Sequence, residues 1–135
     1  MSAITVLIPM KAESEPNRRD HWRTRHKRSA KQRGDVALMV RNAFQLRGIR
    51  AGAVLLPAVV TLTRVAPCPL DDDNLPPSLK AVRDQVAVQL GLPLKRLARG
   101  QGVPTADDRD PRVTWKYDQD ERNCYAVRIT IEARP

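Results

Sequence analysis

Aromatic residues and cysteines are scarce in this chain of 135 residues. Aromatic side chains make up only 4% of the sequence, so the hydrophobic core is expected to consist mainly of Val, Leu and Ile. The two cysteines, Cys68 and Cys124, cannot build a disulfide framework or a four-ligand zinc site, and neither has a Cys or His at ligand spacing. Both are interpreted as ordinary reduced thiols.

Long hydrophobic runs are also missing. No apolar stretch approaches the roughly 20 residues of a transmembrane helix. The N-terminus also lacks the charged region followed by an apolar region that is typical of a signal peptide. We therefore expect a cytoplasmic protein without a membrane partner. The length suits one domain over residues 1–135 and is too short for two independent cores.

Acidic residues are in the minority, with 15 Asp and Glu against 24 Lys and Arg, a formal net charge of +9 and a pI near 10.4. Such an excess favours a polyanionic partner, above all nucleic acid, because basic side chains release counterions from phosphates. The charge is concentrated in a basic segment at about residues 11–33, where eight of the sixteen residues 18–33 are Lys or Arg. One interpretation is a solvated helix start with its tryptophan packed on the body of the protein. The other is contact with DNA, for which the candidates are Arg18, Arg19, Trp22, Arg23, Arg25, Lys27, Arg28 and Lys31.

Hydrophobic periodicity predicts the order β-α-β-α-β-β, an α+β fold with about four strands and two main helices. The strands are expected at residues 4–8, 53–65, 112–117 and 126–132, with the polar run 118–123 as a hairpin turn between the last two. The helices are expected at residues 29–46, ended by Gly48, and 78–90, ended by Gly91. Pro76 and Pro77 fit only a helix's first turn, and residues 91–103 form a basic loop.

The run Asp71-Asp72-Asp73-Asn74 stands out in a basic protein, because adjacent carboxylates repel one another. It is either a solvated acidic turn or one part of a cation site. In an extended segment Asp71 and Asp73 would project together, and if the acidic pair Asp107-Asp108 folds beside them, the group would offer the oxygen ligands that Mg²⁺ prefers. Lys80, four residues before a carboxylate, would then stabilise the anionic transition state of phosphodiester cleavage.

The pattern Asp71-x-Asp73-Asn74-Leu75, then Lys80-x-x-x-Asp84, then Asp107-Asp108 ahead of a strand pair resembles the RusA family of Holliday junction resolvases. The resemblance implies a RusA-like mixed sheet, Mg²⁺ as cofactor, and Asp71, Asp73 and Asp108 as the metal-binding catalytic aspartates with Lys80 as the catalytic lysine. Relative to the family, residues 76–78 look like an insertion before the lysine.

By the same resemblance, the protein would be a homodimeric, bacterial or phage-encoded endodeoxyribonuclease, often carried by a prophage, that resolves four-way junctions in DNA recombination and repair. Two alternatives remain open: a DNA-binding module of the same fold with weak or no cleavage, and a nuclease for other branched DNA.

Overall fold

Four strands form one mixed β-sheet in the computed structural model, which describes residues 3–13, 22–95 and 105–135. The strands are β1 (Ile4–Ile8), β2 (Ala58–Ala66), β3 (Val113–Glu121) and β4 (Ala126–Ala133). Their order across the sheet is β1-β4-β2-β3, with β2 and β3 parallel and the other two pairs antiparallel. The predicted α+β class and the four-stranded mixed sheet are confirmed.

Three α-helices accompany the sheet in the described part of the chain, the two main ones that the sequence predicts and one short addition: α1 (Trp22–Leu46), α2 (Leu75–Ser78) and α3 (Lys80–Gln89). A short 3-10 helix at Gly52–Leu55 precedes β2. Among the described residues, no helix has both the length and the apolar character needed to cross a membrane.

The core lies between α1, α3 and one face of the sheet, and its aliphatic character agrees with the scarcity of aromatic residues. Buried residues recur every four positions along α1, at Gln32, Val36, Val40 and Phe44, which places them on one stripe. Alternate residues of β1 and β4 are buried against the helices, whereas the residues between them are more exposed.

Both glycines predicted to stop the helices do so. Gly48 and Gly91 have φ angles of 70° and 74°, a left-handed conformation that costs glycine little. After each glycine, the next amide donates back to a carbonyl five residues earlier, Ile49 to Phe44 and Leu92 to Ala87. This pattern satisfies carbonyls that the helix end would otherwise leave without partners.

Helix α1 begins earlier than the predicted residue 29, because residues 22–28 of the basic segment are helical, although Trp22 is exposed and does not pack on the body of the protein. They have no apolar periodicity, but Arg and Lys are good helix formers and need no buried face. The predicted strand at 53–65 is also wrong at its start: the chain forms the 3-10 helix there, and regular pairing begins at Ala58, directly after Pro57.

The predicted hairpin between the last two strands is wrong. Residues 118–121 continue β3, and β2 lies between β3 and β4 in the sheet. The reason is the apolar character of β2, whose side chains are almost all buried on both faces. Such a strand is most stable in the centre of a sheet with a partner along each edge.

Candidate functional site

The acidic run lies at the exit of β2, and it is a turn rather than an extended segment. The carbonyl oxygen of Asp71 accepts hydrogen bonds from the amides of Asn74 at 2.9 Å and Leu75 at 3.1 Å, which leads directly into α2. The prediction that Asp71 and Asp73 project together depended on the two-residue alternation of side chains in an extended segment, and it is wrong for a turn. All three aspartates are exposed.

Gln119 of β3 holds the residue before the acidic run. Its side-chain oxygen accepts a hydrogen bond from the Leu70 amide, and its side-chain nitrogen donates to the Leu70 carbonyl, each at 2.8 Å. Buried Arg64 of β2 holds the same loop further back, since its guanidinium donates to the carbonyls of Cys68 and Ala12, both at 2.8 Å. Burial lowers the pKa of Arg64 from its ordinary value. The loop that carries the acids is thus anchored to two parallel strands.

Asp108 lies just before β3 in a cluster of cations and aromatic rings. The Nε of Arg83 donates to its carboxylate at 2.8 Å, and a second guanidinium nitrogen donates to its carbonyl at 3.2 Å. The third nitrogen of Arg83 donates to the Tyr117 hydroxyl at 2.8 Å, while the guanidinium sits 4.7 Å from the centre of the Trp115 ring. Trp115 itself donates to the Asp108 carbonyl at 2.8 Å. Every nitrogen of Arg83 has an acceptor, so Asp108 is held firmly.

The charges around Asp108 determine its protonation. Burial raises the pKa of this carboxyl, but the charges of Arg83 and Lys95, the hydrogen bond from Arg83 and the charge of Lys80 together lower it below its ordinary value of 3.8. The Lys95 ammonium is 3.5 Å from the carboxylate. Asp108 is therefore ionised throughout the neutral pH range.

Asp108 and the acidic run approach the same part of the molecule. Trp115, Tyr117 and Gln119 alternate along β3, so they face the same side of the sheet, where the first two meet Asp108 and Arg83 and the third holds Leu70. A shallow cavity of about 280 Å³ is lined by Asp108, Lys80 and the two prolines of α2. The structure thus brings together Asp108, Lys80 and the beginning of the helix that follows the acids.

Lys80, at the start of α3, has an exposed side chain whose ammonium lies 3.5 Å from the buried carboxylate of Asp84. This confirms the expected pairing of residues four apart on one helix flank. Lys80 contributes to the cavity at Asp108 and to a larger cavity on the α1 side. Its ammonium can therefore reach a ligand placed between the two.

A metal site is not assembled in the described part of the chain: within residues 3–13, 22–95 and 105–135, no three Asp, Glu, His or Cys side chains are grouped so that they could hold an ion. The carboxylate oxygens of Asp71, Asp73 and Asp108 have the chemistry that Mg²⁺ prefers, but the Asp108 carboxylate is engaged by Arg83 and Lys95. Their assignment as metal ligands stays a prediction.

The residues predicted to contact DNA fall into three groups. Arg18 and Arg19 lie outside the described residues. Trp22, Arg23, Arg25 and Lys27 are exposed on the first turns of α1, and Arg28 is partly buried. Lys31 is exposed and pairs with Asp35 at 3.0 Å.

Sequence reasoning missed Arg83, Tyr117 and Gln119. Arg83 follows Lys80 by three residues and so shares its side of α3, a spacing that could have suggested it. The roles of Tyr117 and Gln119 depend on β3 pairing with β2, and local periodicity does not predict which strands become neighbours.

Comparison of the chain with protein-family models, with curated proteins and with solved structures finds no match.

Proposed function

We propose that the protein is a magnesium-dependent, structure-selective endodeoxyribonuclease of the RusA type, which resolves Holliday junctions. The observation that supports this most is the juxtaposition of Asp108 with Lys80 and the first turn of α2, although Asp108 and the acidic run are more than thirty residues apart in sequence. A carboxylate within reach of an exposed lysine suits the cleavage of a phosphodiester, where negative charge develops on oxygen.

In the proposed site, Asp71, Asp73 and Asp108 would hold Mg²⁺, which would supply an activated water and shield the charge of the scissile phosphate. Lys80 stabilises the charge that develops on the phosphate oxygens. Arg83 orients Asp108 and keeps it ionised, since it binds both the carboxylate and the carbonyl of that residue. It is a positioning residue in this proposal.

Affinity for DNA comes mainly from the positive charge of the chain, which exceeds its negative charge by nine. The exposed basic residues at the start of α1 contact phosphates and hold the junction without reading its sequence. Binding and cleavage therefore depend on different residues, and substitutions should separate them.

One observation favours the alternative of a DNA-binding module with weak or no cleavage. Asp108 is paired with Arg83 and Lys95, and no three-ligand group is present among the described residues. Cleavage thus requires that Asp108 exchange part of this pairing for a metal, whereas binding requires no such change.

The test uses purified protein with a synthetic four-way junction, a flap and a linear duplex, each with Mg²⁺ and each with a chelator. The proposal expects nicks in opposed strands of the four-way junction that depend on Mg²⁺, with little cutting of the duplex. Tight junction binding without nicks would favour the binding module, and preferential cutting of the flap would favour a nuclease for other branched DNA.

A further inference from the structure

A groove runs between α1 and the start of α3, beside the candidate site rather than in it. Its widest part is a cavity of about 360 Å³ with cationic walls formed by Arg25 and Arg33 of α1 and by Lys80 of α3. Polar side chains line the groove between these walls, including Gln32 and Asp84, which are only 8% and 6% exposed. The groove therefore has three cations at its sides and, at its base, the Gln32 amide and the Asp84 carboxylate, whose charge Lys80 offsets at 3.5 Å.

One of the cations beside the groove has a buried donor without a partner in the described part of the chain. The Nε of Arg33 is buried and has no hydrogen-bond partner among the residues that the structure describes. A buried donor without a partner costs about 1–3 kcal/mol, so a ligand that supplies an acceptor would be stabilised there. Gln32 lines the same cavity although it is more than nine-tenths buried, and its amide can both donate and accept.

Two further cavities adjoin the groove, one on each side. Towards the start of α1 it shares Arg25 and Arg33 with a hollow lined by Trp22 and His26. Towards β3 it shares Lys80 with the cavity at Asp108. The part along α1, from Trp22 to Arg33, spans about 16 Å at 1.5 Å per residue.

These features fit a single strand better than a duplex. Phosphates suit the three cations, and an exposed aromatic ring, here 62% exposed at Trp22, is a platform on which one base can stack. Gln32 and Asp84 can hydrogen-bond base edges, and the Watson–Crick edges are accessible only when a base is unpaired. A duplex keeps its Watson–Crick edges paired, so they could not reach the buried Gln32 amide in the groove.

We propose that the groove between α1 and α3 binds one unpaired nucleic-acid strand, with phosphates on Arg25, Arg33 and Lys80 and a base stacked on Trp22. The strand then continues past Lys80 to the cavity at Asp108. The continuation of the strand to Asp108, which would deliver a phosphodiester to the cleavage site, rests on the proposed function. The binding of the strand in the groove does not.

The test measures the affinity of the full chain for a short labelled oligothymidylate over a range of salt concentrations, with a chelator present so that cleavage plays no part. Because each phosphate contact to a single strand contributes about 0.7 to the slope of log K against log salt, Arg33→Gln and Arg25→Gln should each reduce the slope by about that amount. Trp22→Ala should weaken binding about tenfold and leave the slope unchanged.

The matched control is Arg50→Gln, which removes the same charge from an exposed residue beyond the other end of α1. Its slope should equal that of the wild type. Arg25 is exposed, so Arg25→Gln keeps the test valid even if Arg33→Gln impairs folding, which thermal melting would reveal. Equal slopes for Arg25→Gln and Arg50→Gln, or equally tight binding of a blunt duplex in competition, would overturn the proposal. A protein that binds the oligonucleotide as expected but never nicks DNA would retain this inference and lose the proposed function.

Discussion

Arg83 connects three features of the candidate site, because its guanidinium contacts the Asp108 carboxylate, the Tyr117 hydroxyl and the Trp115 ring. The planar guanidinium of arginine donates hydrogen bonds in several fixed directions, whereas the ammonium of lysine does not. The orientation of Asp108 therefore depends on this residue more than on any other contact in the described chain.

Arg83→Gln should reduce the rate of junction nicking by about 10- to 100-fold, the usual cost of losing a group that orients a metal ligand. It should also raise the pKa of Asp108, since burial then acts with less opposition from nearby charge. The measurements are single-turnover nicking and an NMR titration of the Asp108 carboxyl, with melting as a check of folding. Tyr117→Phe, which removes one hydrogen bond and no charge, is the matched control and should have a much smaller effect. An unchanged Asp108 pKa in Arg83→Gln would contradict the assignment.

The lowered pKa of Asp108 also makes a prediction about stability. A carboxyl whose pKa is lower in the folded state stabilises the fold above its unfolded pKa, near 3.8, and loses that effect as the pH falls through the folded value. Asp108→Asn should therefore reduce the free energy of unfolding by about 1–2 kcal/mol at neutral pH. Urea unfolding should show the difference between variant and wild type shrinking as the pH falls below the unfolded value of 3.8. If the free energy of unfolding differed by the same amount between wild type and Asp108→Asn at every pH, the ion pair between Asp108 and Arg83 would not be the source of the difference.

The residues of the site were only partly predictable. The sequence singles out the acids Asp71, Asp73 and Asp108, because acids are conspicuous in a basic chain. It singles out Lys80 because this lysine lies four residues before a carboxylate in a predicted helix. Arg83 has only its helical spacing from Lys80 as a signal, and Gln119 has none, because each acts through a contact between segments that are 25 or more residues apart. Such contacts depend on strand order, which local periodicity does not contain.

At the scale of the elements, periodicity predicted β1 and β4 closely and failed where a neighbour determines the structure. The alternation of β3 and β4 is that of half-buried strands, and a polar run between two such strands is typical of a hairpin. The more apolar β2 takes the place between them, since it loses most by exposure. The signal for this outcome was present in residues 53–65, whose near-continuous apolar character indicates a central strand.

The 3-10 helix packs closely against the end of α3, and one glycine permits that contact. A Cβ added to Gly52 would overlap the carbonyl oxygen of Gln89. Gly52→Ala should therefore destabilise the protein by about 1–3 kcal/mol, in the range of overpacked sites. Gly34 lies inside α1 with no atom within 4 Å of an added Cβ, so the control Gly34→Ala should instead stabilise the protein by about 0.5–1 kcal/mol. Chemical denaturation measures the change in the free energy of unfolding for each variant, and the two changes should have opposite signs. Destabilisation by Gly34→Ala would contradict the described geometry.

At the scale of the whole molecule, one argument for a dimer has been lost. The apolar residues 53–65 suggested a surface that a monomer could not bury, but β2 is central and buried within a single chain. The expected homodimer now depends on the proposed function alone. A four-way junction has two-fold symmetry, and two coordinated cuts need two sites.

Sedimentation should show two protomers per junction at micromolar protein concentration, and a dimer in the absence of DNA. Affinity for the junction should fall steeply with rising salt, because the chain carries nine more positive than negative charges. A monomer both free and on the junction would contradict the two-site mechanism.

The central claim is that the acids at the exit of β2 cleave DNA that other residues bind. Its most direct test compares wild type and Asp73→Asn on a four-way junction labelled on each strand, with Mg²⁺, while binding is measured on the same samples. Asp118→Asn, which makes the same change at an exposed position of β3, is the control. We expect paired nicks in opposed strands from the wild type and the control, and none from Asp73→Asn, which should bind the junction at least as tightly because it has lost a negative charge near phosphate. Nicking by Asp73→Asn at the wild-type rate would contradict the account.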